Sequence, residues 1–262
     1  FINYLQHQNI SLESAATIAE SVLPSSLQSL ILSRIDKLTE QQKITLKVAS
    51  IIGRIFSLSW VHGYYPALGN EKQIKENLGS LAHLDLTPLD TPEPNLTYLF
   101  KHIVTQEVTY ESLSYEVRLQ LHGQFAAYLE QHTEVATNLG LITYHYERST
   151  NLKKQFHYLH VAGEEAFDLY ALDNAVAYFD KALTLLKTYN DDIGLSRDEW
   201  LTVAQDVFIK RGRALEYQSQ FVDALKNYAR MTDFAETYNY LPMALWAMIA
   251  KATIYGTWTT EF

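Results

Sequence analysis

Cysteine is absent from the 262 residues of this sequence, and no apolar run is long. Without cysteine there can be no disulfide, thiolate metal site or cysteine nucleophile, and a reducing cytoplasm is the expected compartment. The apolar stretch at residues 243–249 has the length of a buried helical segment. It falls far short of the ~20 residues that cross a bilayer. No basic segment precedes an apolar one after Phe1, so we expect no signal peptide and no membrane partner.

Positive charge is also scarce. The chain has 21 Lys and Arg against 30 Asp and Glu, which gives a formal net charge of −9 at pH 7. A nucleic-acid-binding protein must neutralise phosphates, and this balance argues against that class. The sequence also offers no polybasic patch for anionic lipid. We therefore expect no nucleic acid and no membrane among the partners.

Motifs that carry catalysis are missing as well. The ten glycines are scattered, without a G-x-x-x-x-G-K-S/T or G-x-G-x-x-G phosphate loop, and there is no H-E-x-x-H or G-x-S-x-G. The carboxylates of Glu164 and Glu165, like those of Asp191 and Asp192, are adjacent in sequence, so on a helix they point apart. We expect a chain that is not an enzyme and that has no catalytic residue.

One weak metal-ligand pattern is present. His157 and His160 lie three residues apart, with His145 and Glu147 upstream. A bound ion needs further well-placed ligands and a supporting shell of hydrogen bonds. We interpret these four residues as partly exposed polar groups on helix faces and predict no metal site.

Helix starts and stops are clear in the segment after residue 38. Thr39 with Gln42, and Asn70 with Gln73, have the capping-box spacing that begins a helix. Gly53 is placed to end the first of these helices. A short helix around residues 58–61 is predicted between them, because Pro66 closes that stretch.

Four of the six prolines lie between residues 66 and 94, which marks this region for turns and short strands. Residues 86–89 and 96–100 are β-prone and flank a proline-rich turn, so we predict a two-stranded hairpin there. Three helices followed by such a wing is the order of a winged helix, a variant of the helix-turn-helix. Apolar spacing predicts helices on both sides of this module, one at residues 24–38 and one or two linked helices from residue 103 to 129.

A repeat begins beyond about residue 138. Each unit has a glycine in its first helix and an alanine and an aromatic residue in its second. Small residues let two helices approach closely and the aromatic ring fills the gap, as in tetratricopeptide helix pairs. The residues are Gly163, Ala175 and Phe179 in one unit, and Gly212, Ala224 and Tyr228 in the next.

The repeat departs from the tetratricopeptide pattern in three ways. Its two units are farther apart than the usual ~34 residues, and we assign the excess to a linker at residues 190–194. Ser196 and Glu199 form a capping box after that linker. Arg211 and Met231 occupy positions where small residues are expected. Residues 242–255 resemble the first helix of a further unit whose second helix is missing.

Three segments resemble, in the same order, the region that follows the nucleotide-binding core in STAND-class AAA ATPases. The resemblance is greatest to those fused to class III adenylate or guanylate cyclases or to sensor kinases. The first segment is LPSSLQSLI at residues 23–31, with residues 34–38 and ASIIGRIF at 49–56. The second is YLFKH at residues 98–102, with residues 105–110, Arg118 and His122. The third is YHYER at residues 144–148, which leads into Ala162 and Gly163.

The residue patterns predict an all-α fold with a minor β-hairpin, and together with the resemblance they divide the chain into three parts. Residues 1–38 would be the tail of the ATPase lid and its linker helices, residues 39–115 a winged-helix-like domain, and residues 116–262 a helical linker with tetratricopeptide-like repeats. The resemblance also implies an upstream P-loop domain in a longer parent protein. ATP or ADP with Mg²⁺ would bind the parent, and no cofactor is expected in this chain itself.

His102 matches a histidine that, in related STAND ATPases, contacts the phosphate of the bound nucleotide and helps to hold the closed state. The residue after it, often aspartate in the family, is Ile103 here. A buried structural histidine is the alternative interpretation of His102.

Three functional hypotheses follow. In the first, the chain is a regulatory arm of a cytoplasmic signal-transduction protein, in which the repeats bind a protein or peptide and the module near His102 responds to an upstream ATPase core. In the second, the repeats form a passive interaction scaffold. In the third, the module binds DNA, although its third helix sets Lys72 and Lys75 against Glu71 and Glu76. Because the chain begins at Phe1 and stops at Phe262 without a polar cap, we expect it to be part of something longer.

Overall fold

The computed structural model describes residues 25–188 and 193–258, which form an all-α chain with one small β-sheet. The first part of the predicted lid tail (residues 1–24), most of the predicted linker at 190–194, and residues 259–262 lie outside the described residues. Twelve α-helices are described: Ser25–Asp36 (α1), Glu40–Ile52 (α2), Leu58–Tyr64 (α3), Glu71–His83 (α4), Ile103–Glu111 (α5), Tyr115–His132 (α6), Val135–Tyr146 (α7), Leu152–Asp168 (α8), Leu172–Thr188 (α9), Arg197–Tyr217 (α10), Phe221–Thr237 (α11) and Leu241–Trp258 (α12).

The chain divides into two compact units, one extending to Leu121 and the other beginning at His122. In the part of the chain that the structure describes, no helix has both the length and the apolar character needed to cross a bilayer.

In the first unit, helix starts follow the predicted caps. The Gln42 N–H donates to the Thr39 hydroxyl and the Thr39 N–H to the Gln42 side chain, and Asn70 and Gln73 make the same reciprocal pair. Gly53 ends α2 with φ at 137°, in the region that glycine tolerates best. These boundaries are therefore confirmed, because local hydrogen bonds alone are enough to specify them.

The sheet has three strands rather than the two of the predicted hairpin. Thr97–Leu99 (β3) is central, with Ile55–Ser57 (β1) and Leu89–Thr91 (β2) antiparallel on either side. The extra strand β1 has only three residues, too few for an alternating pattern to be visible in sequence. Its Phe56 ring is buried and stacks on Tyr98, with ring centroids 6.1 Å apart.

In the second unit, the same turn joins successive helices three times. Each turn has one residue at positive φ. The N–H of the residue that follows it donates to the carbonyl five residues earlier, in the last turn of the preceding helix, and this bond ends that helix. The positive-φ residues are Tyr170 (58°), Ser219 (60°) and Asn239 (52°), and the bonds that close the turns are Ala171 N–H to Ala166 (2.8 Å), Gln220 N–H to Leu215 (2.9 Å) and Tyr240 N–H to Ala235 (2.8 Å).

Close helix contacts at two glycines hold this unit together. A Cβ added to Gly163 would lie under 3.0 Å from the Phe179 ring, and one added to Gly212 would lie under 3.0 Å from the Tyr228 ring. Both rings are buried. Each aromatic ring of a second helix therefore occupies the space that a side chain on the first helix would need.

Arg211, which stands where a small residue is expected, does not disturb this packing. Its guanidinium on α10 donates two hydrogen bonds to the Asp180 carboxylate of α9, at 2.9 and 3.1 Å. A third goes to the Asn227 side-chain oxygen on α11, at 3.1 Å. The long side chain thus lies across three helices and links them through a bidentate ion pair.

We expect Gly212→Ala to lower the free energy of unfolding by about 1–3 kcal/mol, because the buried Tyr228 ring cannot move aside without strain. Gly140→Ala is the matched control: Gly140 lies within α7, is exposed, and a Cβ there meets nothing within 4 Å. Alanine has the higher helix propensity, so the control variant should gain about 0.5–1 kcal/mol. Urea unfolding followed by circular dichroism measures both changes, and an equal effect at the two positions would contradict this packing account.

Candidate functional site

His102 is exposed at the start of α5, immediately before Ile103. Its backbone is extended, with φ at −125° and ψ at 131°, and its side chain makes no capping hydrogen bond to the helix. The alternative of a buried structural histidine is therefore wrong. An exposed imidazole beside a helix N-terminus can reach a ligand, and the N–H groups of that terminus favour negative charge.

Lys101 pairs with the Asp85 carboxylate beside this helix start, and two further basic side chains, Arg34 and His102, lie near the same turn. The Lys101 ammonium lies 2.8 Å from the Asp85 carboxylate, and Arg34 donates to the Leu84 carbonyl at 2.8 Å. The hydrogen bond from Lys101 lowers the pKa of Asp85 most, followed by the charge of Lys101 and then by the charges of Arg34 and His102. The group has more cationic than anionic members, all of them exposed.

The backbone explains why these residues meet. Asp85 follows the end of α4 with φ at 59°, and the Lys101 N–H donates to the Leu86 carbonyl at 3.1 Å. On the other side, the Phe100 N–H donates to the Arg54 carbonyl at 2.8 Å. The turn after α4 and the segment before α5 are thus bonded side by side. We call Arg34, Asp85, Lys101 and His102 the His102 cluster.

Sequence reasoning found only His102 in this cluster. Lys101 is its neighbour in the YLFKH segment, and Arg34 stands in another segment of the family resemblance. Asp85 gives no sequence signal, because it joins the cluster only through the tertiary hydrogen bonds of its turn.

The structure does not bring the four weak metal-ligand candidates together. Glu147 binds Lys181 at 2.8 Å, and His160 Nε2 lies 2.8 Å from Asp206 Oδ2. His145 is fully buried, so the expectation of a partly exposed residue is wrong for it. That expectation failed because helical spacing gives the face of a residue but not what packs on it.

His145 is paired with His122. Their Nδ1 atoms lie 2.7 Å apart, so one ring donates and the other accepts, which requires opposite tautomers when both are neutral. The Phe125 ring meets His145 edge to face at 4.7 Å. Burial lowers the pKa of His145 well below its usual value of 6.5, and the charges of His122 and Arg148 lower it further.

A different set of three side chains, those of His160, Glu164 and Asp206, has the spacing of metal ligands. One ligand atom each from His160, Glu164 and Asp206 lies within 4.8 Å of the others. The Lys210 ammonium, however, is bonded to Glu164 and lies 2.9 Å from Asp206. Lys210 already supplies the positive charge that an ion would bring, and the four side chains join α8 to α10.

The third helix of the module, α4, has little net positive charge with which to bind a DNA phosphate. The Lys75 ammonium is paired with the Glu93 carboxylate, and Glu71 and Glu76 lie on the same short helix. The helix also has no arginine, which is one of the side chains that most often read guanine.

Comparisons with protein-family models, curated proteins and solved structures find no match for this chain.

We expect the buried His145 to make stability depend on pH. Because the folded-state pKa of His145 is lowered, its contribution is present above the unfolded value of 6.5 and is lost as the pH falls below it. We expect the free energy of unfolding to decrease below about pH 6.5, with a slope that approaches ~1.4 kcal/mol per pH unit for this one group. Urea midpoints between about pH 7.5 and pH 5.5 measure the slope.

His145→Leu removes the titrating group and should flatten this part of the profile. His132→Leu, at an exposed histidine on the helix that also carries His122, is the matched control and should leave the slope as it is. Identical slopes for the wild type and His145→Leu would show that His145 is not the group responsible.

Proposed function

We propose that this chain is a non-catalytic regulatory arm of a cytoplasmic signal-transduction ATPase of the STAND class, of the kind linked to a nucleotide cyclase or a sensor kinase. Its first unit would be a winged-helix-like module that contacts an upstream ATPase core. Its second would be a tetratricopeptide-like array that binds a protein or peptide. Partner binding by the array would shift the nucleotide state of the core.

The His102 cluster is the observation that carries this proposal. A nucleotide phosphate needs donors and positive charge at short range, and helix N-termini commonly provide both. His102 stands at such a terminus, exposed, with Lys101 and Arg34 near the same turn. An imidazole that donates to a phosphate oxygen makes a charge-assisted hydrogen bond, which is stronger than a neutral one.

The order of elements supports the two modules. Helices α2, α3 and α4 are followed by the hairpin of β2 and β3, as in a winged helix. In the second unit, paired helices approach each other closely at a glycine, and an aromatic ring of the second helix fills the space beside that glycine. This occurs at Gly163 with Phe179 and at Gly212 with Tyr228. Helical repeat arrays pack in this way, and they present extended surfaces to partners.

The passive scaffold remains the second candidate, and the exposed apolar residues of α12 favour it. A scaffold would use the same array without any dependence on nucleotide. The pairing of Lys75 with Glu93 weighs against the DNA-binding alternative.

The test is the rate of ADP release from the longer protein that contains this chain and its nucleotide-binding core, measured with a fluorescent ADP analogue. His102→Ala should remove one charge-assisted hydrogen bond of about 1.5–3 kcal/mol, so ADP release should accelerate roughly tenfold or more. Lys101→Ala should act in the same direction but less strongly, since its ammonium is shared with Asp85.

His132→Ala is the control for general effects of losing an exposed histidine. If His102→Ala releases ADP at the wild-type rate, the nucleotide half of the proposal fails and the passive scaffold becomes the better account.

A further inference from the structure

Helices α9, α10 and α11 of the second unit border a cavity of about 290 Å³. Cavities that hold small molecules usually measure roughly 300–1,000 Å³, so this one suits only a small ligand. Part of its lining is apolar: Leu183 and Phe208 are buried, and Phe234 and Tyr238 are half-buried. The Phe208 and Phe234 rings meet edge to face with their centroids 5.6 Å apart, which gives the cavity an aromatic wall.

Three charged side chains line the same cavity, namely Lys187, Arg230 and Asp233. All three are exposed, whereas the apolar lining residues are buried or half-buried. The cavity is therefore apolar at its floor and charged at its mouth. Such a division suits an amphiphilic ligand, whose apolar part would leave water while its polar group stays near the surface.

Helical spacing explains why these side chains meet. Lys187 follows Leu183 by four residues on α9, and Asp233 and Thr237 follow Arg230 by three and seven residues on α11. Residues with these spacings lie on one face of a helix. The facing sides of α9 and α11 thus bring two cations and one carboxylate to a single opening.

The charges at this opening are not used by the fold. In the part of the chain that the structure describes, the side chains of Lys187, Arg230 and Asp233 form no ion pair. By contrast, Arg211 and Lys210 of the neighbouring helix α10 are both paired with carboxylates. Two cations and one anion leave the mouth with a formal charge of +1, although the whole chain has a charge of −9.

We propose that this cavity binds a small organic carboxylate that has one negative charge and an apolar, preferably aromatic, body. The carboxylate would pair with Arg230 and Lys187, and the body would lie against the Phe208 and Phe234 rings. Asp233 at the mouth repels a second negative charge, so a phosphate ester, with about −1.5 to −2 charges at pH 7, fits less well. The inference goes beyond the proposed function and depends on neither its nucleotide half nor its partner-binding half.

Trp200 can report on this cavity. It is 3% exposed, and its indole N–H has no hydrogen-bond partner among the described residues. Its ring centroid lies 4.9 Å from that of Phe234 and 4.5 Å from that of Tyr238. A ligand that displaces either of these two rings will therefore change the magnetic environment of the Trp200 indole.

The test is a titration of the ¹⁵N-labelled 262-residue protein with phenylacetate, followed by nuclear magnetic resonance. The indole N–H signal of Trp200, identified by its loss in Trp200→Phe, should shift saturably with a Kd of about 1 mM or lower. The signal of Trp60, in the first unit, should not move. Phenylacetamide lacks the charge and acetate lacks the ring, so each should bind at least about fivefold more weakly.

Three variants test the role of charge. Arg230→Gln and Lys187→Gln should each weaken phenylacetate binding about threefold to tenfold, because each removes a charge-assisted hydrogen bond. Asp233→Asn should tighten binding about twofold or more, since it removes a repulsive charge. Lys226→Gln, at an exposed lysine of α11 that does not line the cavity, is the matched control and should bind normally. All four residues are exposed, so urea midpoints should match the wild type.

Four outcomes would overturn the proposal. They are no saturable shift of the Trp200 signal, equal affinity for phenylacetamide, inorganic phosphate binding as tightly as phenylacetate, and weaker binding in Asp233→Asn. Binding that appears only when Asp191→Asn and Asp192→Asn are combined would also contradict it, because carboxylates of the linker would then be the natural occupants. None of these results changes the expected effect of His102→Ala on ADP release.

Discussion

The close approach of paired helices at Gly163 and Gly212 is the constraint on which the second unit depends. With the Phe179 and Tyr228 rings lying where a Cβ would be, each helix pair is fixed in both separation and register. The recurring turns at Tyr170, Ser219 and Asn239 then set where each next helix begins. A repeat built in this way buries one face of every helix against its successor. The last described helix, α12, consequently presents an apolar face that no described successor covers.

Polar links between the helices are compatible with this packing because the polar groups that they cover are paired with one another. Arg211 reaches Asp180 and Asn227 without entering the space between Gly212 and Tyr228. Lys210, one residue earlier, turns to the α8 side and joins Glu164 and Asp206. Adjacent residues on one helix point in different directions, so α10 can form ion pairs with α8 and α9 and a hydrogen bond with α11. The cluster around His160 is then explained as a structural link and requires no bound metal.

Features that depend on neighbouring residues were predictable from sequence, and features that depend on distant residues were not. The capping boxes at Thr39, Asn70 and Ser196 were found because donor and acceptor lie three residues apart. Strand β1 was missed, because it exists only through pairing with β3, forty or more residues away. The burial of His145 and the position of Asp85 beside Lys101 were missed for the same reason. Of the candidate site, only His102 was identified from the sequence, by family resemblance. The other members of the His102 cluster could be identified only from the folded structure.

The net charge of −9 and the cationic His102 cluster are compatible because they act over different distances. At physiological ionic strength the Debye length is about 8 Å, so exposed acidic side chains elsewhere are largely screened from this cluster. A compact phosphate group would be influenced mainly by His102, Lys101 and Arg34, together with the start of α5. A nucleic acid spans many such lengths and would meet the overall negative charge. The same argument that disfavours a polyanion as a partner therefore leaves a single nucleotide phosphate as a ligand that this surface can accept.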